Sequence, residues 1–144
     1  MTVTVISDRY CDMLQKFLRP KVDELEDDVW FQQDGATAHT SRRSLSILRE
    51  MFPGNLISLH GDIGWPALSP DLTRCDFFLW GYLKAKVYER RPGTIEQLKL
   101  AIRQKVAAIT PAITRKAMDN FRERLQQCVI NNGRHLSDVI FKSV

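Results

Sequence analysis

VWFQQDGATAHTSRRSLSILREMFPGNLISL, residues 29–59, decides the fold. VWFQQ (29–33) is short, β-branched and aromatic, as a buried strand is, and Asp34-Gly35 closes it with turn chemistry. From about Ser41 to Phe52, Leu45, Leu48, Met51 and Phe52 recur at helical spacing. Pro53-Gly54 then punctuates before a second short strand, NLISL (55–59). A strand, helix, strand unit is most simply a parallel pair, so the spacing predicts an α/β fold with Asp34 at the C-terminal edge of a strand.

Working outward, TVTVI (2–6) alternates β-branched side chains and predicts the end of a strand in a chain that starts in mid-domain. Tyr10, Met13, Leu14, Phe17 and Leu18 follow a helical stripe that Pro20 helps to end, and DELEDD (23–28) reads as a solvated linker. Residues 60–75, with Gly61, Gly64, Pro66 and Pro70, read as an ordered loop. Helices are predicted from about Thr73 to Glu89, through Ile95, Leu98, Ile102, Val106 and Ile109, and through Ile113, Ala117, Phe121, Leu125 and Cys128, with Pro111 near the start of the last. The pattern predicts one domain over 1–144, with a truncated mixed sheet, flanking helices and a helical C-terminal half.

A chain of 144 residues, 44% hydrophobic and 26% charged, has the composition of a globular domain. No apolar run approaches the roughly 18 to 20 residues that cross a bilayer, and MTVTVISDRY lacks a signal-peptide layout, so the expectation is a soluble intracellular protein with no membrane partner. Cys11, Cys75 and Cys128 form no CxxC pair and read as reduced, buried thiols. His39, His60 and His135 lack zinc-binding spacing, so a metal here falls to carboxylates. Residues 1–72 carry 7 Lys/Arg against 11 Asp/Glu, and residues 73–144 carry 14 against 6. A basic second half suits a polyanion partner, and it equally suits helices whose outer faces are coated with Lys and Arg.

Two carboxylates stand out. Asp34 at a strand end and Asp76 at a helix start are placed as ligands for the two divalent cations that phosphoryl transfer on DNA uses, Mg²⁺ or Mn²⁺ being the hard ions that oxygen ligands hold. Each also has a plain structural role. An Asp before Gly is an ordinary turn residue, and Thr73 with Asp76 three later resembles a capping box favoured by the helix dipole.

The words around the two acids separate these roles. QQDGATAHT (32–40) and WPALSPDLTRCDFFLWGYLK (65–84) closely resemble the second and third catalytic blocks of mariner-like transposases, of the DDE/DDD superfamily, over nearly the whole chain. That resemblance implies a partial ribonuclease H-like fold, metal-dependent cleavage and transfer of DNA strands at transposon ends, and Asp34 and Asp76 as the second and third acids. Gln33, Gly35, His39 and the Ser69-Pro70-Asp71-Leu72 turn match the surrounding motif. It further implies DNA as partner, both transposon ends and target, a homodimer of the full-length parent, a nuclear location and no small-molecule substrate. The family's first catalytic aspartate and its helix-turn-helix region lie upstream of the segment that matches this chain. Arg74 stands where many relatives have proline.

Arg42 and Arg43, close to Asp34, are the first choices for phosphate contacts, followed by Lys84, Lys86, Arg90 and Arg91. Trp30 and Trp80 read as core, and Trp65 as either a cover over the site or a DNA contact. His39 reads as a helix-start residue satisfying backbone groups, or as a hydrogen-bond donor near the scissile phosphate. A catalytic-domain fragment, inactive alone for want of the first acid, and a non-catalytic nucleic-acid-binding or interaction module derived from a transposase are the two functions these features support.

Overall fold

The computed structural model describes residues 4–25, 28–134 and 136. The chain divides into two compact units, Met1–Ser69 and Pro70–Val144.

In the first unit, α1 (Ser7–Met13) runs through a π-helical turn (Leu14–Leu18) into α2 (Arg19–Val22). Residues 4–6 have no regular structure and 1–3 lie outside the described residues, so the strand expected at 2–6 is not seen among those described. Pro20 does not end the helix. It sits at the first turn of α2, directly after the π turn, where its missing N–H breaks no α-helical ladder. The wider turn also shifts the phase of the apolar stripe: Tyr10, Cys11 and Leu14 are buried, while Phe17 is 72% exposed.

β1 (Phe31–Gln32) follows, then α3 (Thr37–Thr40), α4 (Arg42–Met51), β2 (Leu56–Ser58) and β3 (Ile63–Gly64). Ser41 starts α4 by accepting a hydrogen bond from the Ser44 N–H at 3.2 Å. The helix stops at Phe52, and Gly54 takes the left-handed conformation (φ 77°) that turns the chain into β2. As the spacing predicts, β1 and β2 pair in parallel, Phe31 opposite Leu56 and Gln32 opposite Ile57. Leu45, Ile47, Leu48, Phe52 and Leu56 join Tyr10, Cys11 and Leu14 in the core, with Phe31 stacked on Phe52 at 5.0 Å. Strand alternation then turns Trp30 away from the face that holds Phe31 and Gln33, and Trp30 is 46% exposed rather than core.

The loop predicted over 60–75 contains β3, parallel to β2 with Ile57 opposite Ile63. A return this short folds across the backbone of β2 itself. Leu56 N–H donates to Asp62 Oδ2 at 3.0 Å, and a Cβ on Gly61 would lie 2.4 Å from the Leu56 oxygen. The three described strands, in the order β1-β2-β3, are parallel throughout, where a mixed sheet was expected.

The second unit is helical, as the periodicity predicts. A π-helical turn (Cys75–Leu79) leads into α5 (Trp80–Tyr88), followed by α6 (Ile95–Ala107) and α7 (Pro111–Ile130). Thr94 and Thr110 cap α6 and α7 through their side-chain oxygens, and Pro111 fits the first turn of α7, where no N–H is needed. The π turn again displaces the stripe, burying Phe77, Leu83 and Val87 and leaving Trp80 56% exposed, against the expectation of a core residue. Cys75 is exposed and Cys128 half-buried, so of the three thiols only Cys11 is buried as predicted. No helix among the described residues is long and apolar enough to cross a membrane.

Candidate functional site

Asp34 follows β1 at its carboxyl end, where α/β sheets gather ligands. Its Oδ1 accepts the Ala36 N–H at 3.0 Å and faces Nδ1 of His39 at 2.5 Å. With a carboxylate as its neighbour, Nδ1 of His39 is the donor. Oδ2 of Asp34 takes no hydrogen bond from the described residues, and the side chain is 42% exposed. One oxygen is tied down within a side chain that is partly open to solvent.

Behind this carboxylate is a buried polar network. Tyr10 donates its hydroxyl to Gln33 Oε1 at 2.7 Å, and Gln33 Nε2 donates to the His39 carbonyl and to Ser58 Oγ, both at 3.0 Å. Gln33, Ser58 and Tyr10 are all buried, so the polar atoms Gln33 brings inside are matched by partners from α1, β2 and α3. The Tyr10 and His39 rings lie 4.4 Å apart, tilted by 37°. Burial, and after it the charge of Asp34, pushes the Tyr10 phenol well above its ordinary value. Gly35 donates its N–H to the Ala67 carbonyl at 2.9 Å, and a Cβ there would fall 2.5 Å from Ala67 Cα. Only glycine permits that approach.

Asp76, in the second unit, sits in the first turn of the helix that begins at Cys75, half-buried, with its N–H donating to the Thr73 carbonyl at 2.9 Å. That position favours a carboxylate through the helix dipole. The segment is anchored by two crossed cation–π contacts: Arg74 over Phe121 at 4.5 Å and Arg124 over Phe77 at 4.6 Å. Arg124, only 4% exposed, also donates to Asn120 Oδ1 at 2.8 Å and to the Asp71 carbonyl at 3.2 Å. Burial pulls both guanidinium groups below their ordinary values, with Asp71 opposing the shift at Arg124.

Among the candidate phosphate contacts, Arg42 is exposed at the first position of α4, and Arg43 pairs with Asp8 at 2.7 Å. Lys86 pairs with Glu89 at 2.9 Å, which raises the lysine and lowers the glutamate from their ordinary values. Lys84, Arg90 and Arg91 are exposed on and just after α5. Trp65 is half-buried, its N–H donating to the Ser58 carbonyl at 2.9 Å.

The sequence reading placed Tyr10 on a helical stripe and Gln33 in the motif around Asp34 without giving either a supporting role, and it missed Arg124. Gln33 was detectable by alternation, because it shares the inward face of its strand with Phe31. Arg124 lies three residues after Phe121 and four before Cys128, on the buried row of α7. In neither unit do three or more His, Cys, Asp or Glu side chains among the described residues gather into a metal cluster. A cation held within either unit therefore rests on few protein ligands, as Mg²⁺ with its retained waters commonly does. No protein-family model matches the chain, and no curated protein is significantly similar to it.

Proposed function

We propose that the chain is part of the catalytic domain of a mariner-like DNA transposase, with a ribonuclease H-like sheet, in which Asp34 and Asp76 hold Mg²⁺ or Mn²⁺. The observation that carries this is the Asp34 carboxylate itself, at the carboxyl edge of a parallel strand, with Oδ1 fixed by Ala36 and His39 and the side chain 42% exposed. A turn aspartate needs its backbone bond alone. The histidine, and the glutamine network beneath it, give this one a fixed orientation that a metal ligand requires.

The donor set suits the ion, since both side chains offer hard oxygens on regular elements. Bound cations would activate the attacking oxygen and stabilise the leaving oxygen of a DNA phosphate. The residues of the chain orient: Asp34 from its strand end, Asp76 from its helix start, and Arg42, Lys84, Arg90 and Arg91 as exposed cations for the DNA backbone, in transposon ends and target. Arg43 and Lys86 must exchange their Asp8 and Glu89 partners for phosphate, a small cost for exposed pairs. A nuclear location and a dimeric parent follow from the same assignment.

With two of the family's three acids, the 144-residue chain binds Mn²⁺ weakly and does not cut DNA. Efficient metal-dependent nicking by this chain, lost in Asp34→Ala, overturns that statement. The alternative is a non-catalytic nucleic-acid-binding module, supported by the 14 Lys/Arg against 6 Asp/Glu of residues 73–144. DNA binding titrated against salt, with and without Mn²⁺, distinguishes the two. Binding that ignores Asp34→Asn and Asp76→Asn under both conditions favours the module, and a metal-dependent component lost in either variant favours the residual active site.

A further inference from the structure

We infer that His39 is a positioning residue for Asp34: its Nδ1–H holds Oδ1 so that Oδ2 is the oxygen presented to the cation. This inference rests on the metal-binding role proposed for Asp34.

Three observations carry it. First, the imidazole and the carboxylate meet directly, Nδ1 to Oδ1 at 2.5 Å, although five residues separate them in sequence. Secondly, the histidine is itself fixed. Its ring lies 4.4 Å from that of Tyr10 and its carbonyl accepts from buried Gln33, which is in turn held by Tyr10 and Ser58. Thirdly, the ring is only 26% exposed on its side chain while the carboxylate is 42% exposed, so the support lies beneath and the ligand above. A carboxylate with both oxygens free swings about its terminal torsion, which is broad and two-fold, and a donor on one oxygen removes that freedom before the cation arrives. Gln33 acts one step further back, because it fixes the backbone on which His39 turns.

The test has two arms on the whole chain. Long-range ¹H–¹⁵N spectra of the metal-free protein should show His39 as the Nδ1-protonated tautomer, against the Nε2-protonated form usual for a free imidazole, and Asp34→Ala should abolish that preference. Titration with Mn²⁺ alone, read by water-proton relaxation, should show His39→Ala weakening binding by about tenfold or more, within the range that loss of a ligand's hydrogen-bond partner typically produces. His39→Asn, whose amide N–H replaces the Nδ1–H donor, should restore affinity to within about threefold of wild type. Urea unfolding of both variants identifies any general loss of fold, and the Asn rescue is a readout that a purely packing role would not give. An Nε2-protonated His39, or a folded His39→Ala chain with unchanged Mn²⁺ affinity, overturns the inference while leaving Asp34 as a ligand. A wild-type chain that binds no Mn²⁺ overturns the metal role of Asp34, and with it the inference, even with the tautomer as predicted.

Discussion

The Tyr10 hydroxyl, near the middle of the first helix, donates at 2.7 Å to Oε1 of Gln33, the residue immediately before Asp34. Through this bond the helix that precedes the sheet reaches the strand that carries the acid. Tyr10→Phe keeps the ring against His39 and removes only the hydroxyl, so Gln33 keeps a buried oxygen without its donor. The expected cost is about 1 to 3 kcal/mol, measured by urea unfolding, with an equal melting profile as the contrary result.

The same phenol carries a pH dependence. Its folded-state value is raised, chiefly by burial and then by Asp34, so its contribution to stability is complete below the unfolded tyrosine value of about 10 and is lost as pH climbs beyond it. Unfolding free energy measured on the alkaline side of that value should fall more steeply for wild type than for Tyr10→Phe. Parallel curves would show that Tyr10 ionises freely in the folded chain.

Gly35→Ala should disturb the site by sterics alone. The new Cβ meets Cα and Cβ of Ala67 at 2.5 and 2.7 Å, so either the turn after Asp34 or the 65–69 loop moves. A loss of about 1 to 3 kcal/mol is expected, as for overpacked positions, together with weaker Mn²⁺ binding. An Ala67→Gly second change removes one of the two contacts and should recover part of the loss.

Arg124 supports the segment that bears Asp76, and it does so by shape as well as charge. Arg124→Ala removes a stacked plane from Phe77 and the donors to Asn120 and the Asp71 carbonyl, for an expected cost of about 2 to 3 kcal/mol. Arg124→Lys keeps the charge without the planar fork and should recover less than half. Full recovery by lysine, read in thermal melts, would show that charge alone matters at this position.

Much of this was legible in the sequence. The parallel pairing of 31–32 with 56–57 followed from a strand, helix, strand pattern, and the helix expected from about Ser41 begins there, with Ser41 as its cap. What was not legible traces to two physical causes. Both π-helical turns change the phase of a stripe that a fixed 3.6-residue period cannot follow, which is why Phe17 and Trp80 are exposed against expectation. Contacts between distant segments leave no periodic trace, so neither the Tyr10–Gln33 bond nor the Arg124–Phe77 stack was predicted, and His39 was read as satisfying backbone groups or donating near the scissile phosphate, not as the partner of the acid five residues before it. The short return into β3 was hidden by the Gly and Pro content of its loop.

The proposal that Asp34 and Asp76 serve as cation ligands is tested most directly by iron-directed backbone cleavage. Fe²⁺ takes the place of Mg²⁺ at oxygen-ligand sites and, with ascorbate and peroxide, cuts the chain beside the bound ion. Fragments mapped by mass spectrometry should end near Asp34 and near Asp76, and Asp34→Asn and Asp76→Asn should each suppress the cut beside the residue replaced. A cut beside either aspartate that survives its own neutralisation, or no cut beside it in the wild-type chain, would contradict its role as a ligand.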